Sequence, residues 1–92
     1  MSKIPHHSLK PPTKVVPFAT KLQTFEVAIL FEASLAKVVL RNARTNRVLR
    51  QGTYFPRTRY WSWGPIPKGI TLPPHIQNFA QEQVVLFVET LL

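Results

Sequence analysis

The sequence predicts an α+β fold: a curved antiparallel sheet of four strands followed by one C-terminal helix, ββββα. Three observations carry this reading. Short runs rich in β-branched and aromatic residues recur from Thr24 to Leu72, separated by Asn, Gly and Pro. An apolar period of 3.6 residues takes over after Pro74. Residues 1–22 show neither pattern, and Pro5, Pro11, Pro12 and Pro17 interrupt them. The 92-residue chain is therefore expected to divide into a disordered, basic, Pro-rich arm at 1–22 and a single domain at 23–92. His6 and His7 lie adjacent in the arm, without Cys, Asp or a nearby Glu to complete a metal site.

The first expected strand is Thr24–Glu32, bounded by polar residues. Ala33–Ala36 reads as a turn, and Lys37–Arg41 as a short second strand. Asn42–Asn46 has turn chemistry, because Asn tolerates left-handed backbone and bonds its own main chain. Arg47–Phe55 is the third strand, with Gly52 marking a bulge or a close backbone approach. After Pro56, the segment Arg57–Trp63 fits either a strand continuation or an exposed loop. Gly64-Pro65-Ile66-Pro67 is a turn, and Lys68–Leu72 the fourth strand.

The helix is expected from about Pro74 onward, since Pro suits the first helical position. Ile76, Phe79, Ala80, Val84, Phe87, Val88 and Leu91 share one face at helical spacing. Val84–Val88 alone would also suit a strand, but the longer window favours helix. Val85, Leu86 and Leu92 widen the apolar face beyond what one sheet covers. A homodimer packed through Phe79, Val84, Phe87, Val88 and Leu91 would bury the excess, in a domain small enough to need it.

Charge patterning points to the partner. The formal net charge is +8, with no Asp and four Glu at 26, 32, 82 and 89. Residues 33–81 carry Lys37, Arg41, Arg44, Arg47, Arg50, Arg57, Arg59 and Lys68 without one acid. Such a block cannot neutralise itself internally, which favours a polyanionic partner. The bland reading is a solubilising surface. No run of 18 apolar residues exists, and the N-terminus has no apolar h-region. An intracellular location and no membrane partner are expected. The chain has no Cys, which excludes disulfides, zinc–thiolate sites and thiol catalysis.

Residues 54–63 hold Tyr54, Phe55, Tyr60, Trp61 and Trp63, interleaved with Arg57 and Arg59. Single-stranded nucleic acid needs cations that track phosphates and flat surfaces on which bases stack, and this segment has both. Aromatics in small β-domains also fill cores. Phe55 and one Trp are assigned to packing, leaving Tyr54, Tyr60 and the other Trp as stacking residues. The full set expected to contact nucleic acid is Lys37, Arg41, Arg44, Arg47, Arg50, Tyr54, Arg57, Arg59, Tyr60, Trp61, Trp63 and Lys68.

Pro67-Lys68-Gly69-Ile70-Thr71-Leu72, leading into Pro73-Pro74-His75-Ile76-Gln77-Asn78-Phe79, resembles a known pattern. It is similar to the transcriptional-coactivator, single-stranded-DNA-binding family typified by positive cofactor four, with a fold related to the plant Whirly proteins. There a Lys-Gly-Ile-Ser-Leu strand follows a Pro-containing loop and leads into the C-terminal helix. Thr71 replaces Ser, Phe79 stands where Trp is usual, and the Arg57–Trp63 segment departs from the family. The resemblance spans roughly 24–92. It implies a homodimer joined by its C-terminal helices, with curved sheets forming basic grooves for single-stranded DNA. It also implies backbone contact from Lys68, with Arg41, Arg47 and Arg50 on the second strand pair.

The expected function is non-sequence-specific binding of single-stranded nucleic acid, DNA preferred, by a homodimer. The alternative is a small RNA-associated or viral assembly subunit whose apolar helix docks a partner protein. No cofactor, metal or small-molecule substrate is expected. Catalysis is not expected either, because no carboxylate or His stands with a partner suited to acid–base work.

Overall fold

The structure, a computed structural model, describes residues 10–92. It contains five strands: β1 (Thr13–Ala19), β2 (Thr24–Glu32), β3 (Leu35–Asn42), β4 (Val48–Phe55) and β5 (Tyr60–Trp63). One helix, α1 (Ile76–Leu91), follows. The strands form a single antiparallel sheet in chain order, β1-β2-β3-β4-β5. The α+β class and the C-terminal helix agree with the sequence reading, whereas the strand count is five instead of four.

The additional strand lies in the segment expected to be an arm. β1 pairs along β2 from Thr13↔Leu30 to Ala19↔Thr24. Pro17 does not break it, for a reason of register. The Phe31 N–H donates to Pro12 O at 2.9 Å. Bonded pairs alternate in an antiparallel ladder, so the position of Pro17 opposite Glu26 is one whose N–H would point away from β2. Val16 and Phe18 pack toward the core, while Thr13, Lys14 and Val15 are exposed, and it is Pro17 in the middle of the run that argues against a strand in the sequence. Residues 1–9 of the expected arm, including His6 and His7, lie outside the described residues.

The β2–β3 turn is only Ala33-Ser34, both at positive φ (54° and 63°), the backbone of a two-residue hairpin. Leu35 and Ala36, read as turn, belong to β3. The β3–β4 loop is built on Asn42, whose Oδ1 accepts from the backbone N–H of Arg44 (2.9 Å) and Thr45 (3.0 Å). The register slips between Leu40↔Arg50 and Arg41↔Val48, which leaves Leu49 as the extra residue of a bulge. Gly52 is the close approach instead. A Cβ there would stand 2.5 Å from the Trp63 ring.

Lys68–Leu72 is not a strand. Gly69 sits in a turn at φ 81°, Ile70 N–H bonds Pro67 O, and the chain runs on irregularly to the helix. The last strand is Tyr60–Trp63, from the segment that the sequence left open between strand and loop. The helix begins at Ile76, after His75 in left-handed backbone, two residues later than Pro74. Val84–Val88 is helical.

The helix lies on one face of the sheet. Ile76, Ala80, Val84 and Val88, spaced four apart, are buried against Val27, Ile29, Val38 and Leu40. Phe18 and Phe79 meet with ring centroids 5.1 Å apart. Val84 and Val88 are therefore committed to the chain's own core, which corrects their assignment to a dimer interface. Phe79 and Phe87 are half-buried, and Leu91 is exposed.

Candidate nucleic-acid interface

Strand alternation sends every second side chain to the face away from the helix. On that open face the register aligns rows across the sheet. One row is Thr13, Leu30, Lys37, Thr53 and Ser62, spanning all five strands. The next is Val15, Ala28, Val39 and Gln51, followed by Pro17, Glu26, Arg41 and Val48. Toward the opposite end Phe55 and Tyr60 stand side by side, with ring centroids 5.8 Å apart. Tyr60 is 61% exposed. The middle rows form a shallow groove whose walls include Val15, Leu30, Lys37, Arg41, Gln51 and Ser62.

The face itself is not strongly basic. Lys37 and Arg41 are balanced in number by Glu26 and Glu32. Arg41 Nε also donates to Glu26 Oε1 at 2.9 Å, both side chains 30% exposed. Of the other cations, Lys14 and Arg50 lie on β1 and β4 at helix-side positions, and most of the rest sit in loops. In an antiparallel meander alternate loops share an end. Lys21 (β1–β2) and Arg44 and Arg47 (β3–β4) therefore stand at one end of the face, and Arg57 (β4–β5) at the other. All four are exposed. The arrangement is a part-apolar floor with an exposed Tyr60 against a half-buried Phe55, bounded at its two ends by cations. It differs from the continuous basic groove expected from sequence.

Of the expected contact residues, the fold brings together Lys37, Arg41 and Tyr60 on the open face, with Arg44, Arg47 and Arg57 at its ends. The others lie elsewhere. Tyr54 is 6% exposed and packs on Trp61 at 4.7 Å, on the helix side. Trp61 and Trp63 share that side, stacked at 5.4 Å and 4°. The Trp63 indole N–H donates to Gln81 Oε1 at 2.9 Å. Arg50 also points to the helix: its Nε donates to Gly64 O (2.7 Å) and its Nη1 to Gln77 Oε1 (2.6 Å), with the guanidinium 5.5 Å from the Trp63 ring. Arg59, at φ 59°, borders a hollow with Trp61, Val85 and Glu89. Lys68 is exposed in the turn before the helix.

Comparison with known proteins adds nothing to this geometry. No protein family, curated protein or solved structure matches the chain.

Sequence reasoning missed Phe55 and Lys21. The sequence places Phe55 in packing, whereas its parity with Thr53 puts it, half-buried, on the open face. The signal was available. A four-residue turn at Pro56–Arg59 pairs Phe55 with Tyr60, which fixes both on one face and both Trp on the other. Lys21 was counted in the arm, before the pairing of β1 made it a hairpin loop residue.

Proposed function

We propose that the chain binds single-stranded nucleic acid, DNA preferred and without sequence specificity, across the open face of the sheet. The observation that carries this reading is the exposed Tyr60, beside a half-buried Phe55, on a face whose two ends are lined by Lys21, Arg44, Arg47 and Arg57. Unpaired bases would stack on the aromatic pair and lie on the half-apolar floor. Phosphates would be reached from the loop cations and from Lys37. The eight residues of β4 separate the two cationic ends by about 25 Å, a length suited to a short run of extended single strand.

The reading is tested by fluorescence anisotropy of labelled oligo(dT) at several salt concentrations. Each phosphate neutralised on a single strand contributes about −0.7 to the slope of log K against log salt, so three to five contacts give roughly −2 to −3.5. An affinity insensitive to salt would refute it. A duplex of the same length should bind more weakly, because its bases are not free to stack.

A second reading has its own observation. Val15 is 51% exposed, and Leu30 and Val39 are half-buried on a face with no net charge, as on a surface that docks protein. An assembly subunit of this kind would bind free oligonucleotides poorly and aggregate alone in light scattering. The homodimer belongs to the same set of proposals. With Val84 and Val88 internal, a second copy would use Phe79, Phe87 and Leu91.

A further inference from the structure

Trp61 was singled out as a stacking residue, yet the fold removes it from the open face. It forms one wall of a groove on the helix side, with Val85 and Leu86 of α1 as the other wall. Trp61 and Val85 are half-buried, and Leu86 is 55% exposed. Glu82 and Glu89 line the same groove. They are two helical turns apart, about 10 Å along the axis. Neither is in an ion pair among the described residues, where Arg41–Glu26 is the only one. The Trp63 indole N–H is satisfied by Gln81, whereas that of Trp61 makes no hydrogen bond among the described residues. The last turn of α1 carries no basic residue, so the negative end of the helix dipole adds to Glu89. In a chain of net charge +8, two of the four carboxylates border one aromatic and aliphatic groove.

We propose that this groove docks a basic peptide segment of a partner protein, with Lys or Arg side chains flanking an apolar one. The apolar residue lies on Val85 and Leu86. The cations reach Glu82 and Glu89, one of them passing over the Trp61 ring in a cation–π contact. An extended peptide rises about 3.3 Å per residue, and its alternate side chains share a face. An apolar residue on Val85 and Leu86 is therefore flanked on that face by cations two residues before and after it, about 13 Å apart at the backbone, which lean in to the two carboxylates. Arg59 borders the adjoining hollow beyond Glu89 and closes that end to further positive charge. Charge complementarity selects the occupant. Nucleic acid is repelled by the carboxylates, and the other two Glu, 26 and 32, lie on the open face beside Lys37 and Arg41, where Glu26 is paired with Arg41. The proposal does not rest on nucleic-acid binding.

The test is an NMR titration of the full chain, at physiological salt, with the pentapeptide Lys-Ser-Leu-Ser-Lys, whose Lys and Leu side chains share one face when extended. Its Glu–Leu counterpart and spermidine serve as controls. The Lys–Leu peptide should shift the Trp61 indole and the amides of Val85 and Leu86 with saturation. E82Q/E89Q should weaken binding at least tenfold. Both Glu are exposed, so this variant should keep its fold, whereas Trp61→Ala risks losing it. Equal binding of the Glu–Leu peptide or of spermidine would overturn the proposal. So would unchanged affinity in E82Q/E89Q, shifts confined to the open face, or a free protein whose mass and spectra show a second copy in the groove.

Discussion

The two faces of the sheet are made from the same strands and differ in almost everything else. On the face under α1, Val27, Val38 and Leu40 are fully buried, and no polar or charged residue is buried among the described residues. On the open face, residues one step along the same strands include Lys37, Arg41 and Thr53, and Tyr60 is 61% exposed on β5. One-residue alternation therefore separates the side chains that hold the fold from those available to a ligand. Substitutions on the first face should act on stability, and substitutions on the second on binding.

The largest expected effect is on the covered face. Leu40→Ala should cost about 2–5 kcal/mol in urea denaturation, because a fully buried side chain leaves a cavity. A loss below about 0.5 kcal/mol would mean that this face is not the core. Gly52→Ala should follow, at about 1–3 kcal/mol, since its Cβ would overlap the Trp63 ring held on Gln81. If its thermal midpoint matched the parent, the Trp63 packing would be wrong.

Tyr60→Ala reverses the pattern. Oligo(dT) affinity should fall by about 1–3 kcal/mol for a lost stacking contact. Stability should change by less than about 0.5 kcal/mol, as for other exposed sites. A variant that unfolds, or one that binds normally, would break the distinction between the faces. The smallest effect is at Arg41→Ala. Its ion pair with Glu26 is partly exposed and should contribute about 0–1 kcal/mol to stability, measurable in a double-mutant cycle with Glu26→Ala.

Much of the fold was legible because burial and period coincide. Phe25, Val27 and Ile29 alternate on β2, and Ile76, Ala80, Val84 and Val88 mark the buried stripe of α1. β1 was not legible, because Val15 and Val16 adjoin without a clean alternation and Pro17 interrupts the run, which usually argues against a strand. Lys68–Leu72 failed for the converse reason. Ile70 and Leu72 pack on the core from an irregular connection, so apolar content there reflected burial without a ladder. At the candidate site, composition located the aromatic-basic segment but not its orientation. Tyr60 and Trp61 are adjacent in sequence and lie on opposite faces, and only the turn at Pro56–Arg59 decides which of them lies on the open face.

The proposed binding puts single-stranded nucleic acid on the open face and not on the Trp-lined side. Amide and indole chemical shifts of the protein titrated with oligo(dT) test it most directly. Saturating shifts are expected at Lys37, Thr53, Phe55, Tyr60 and Ser62 and at the loops carrying Lys21, Arg44, Arg47 and Arg57, with the Trp61 and Trp63 indoles little moved. Shifts concentrated on the two indoles and α1, or no shifts at all, would contradict it.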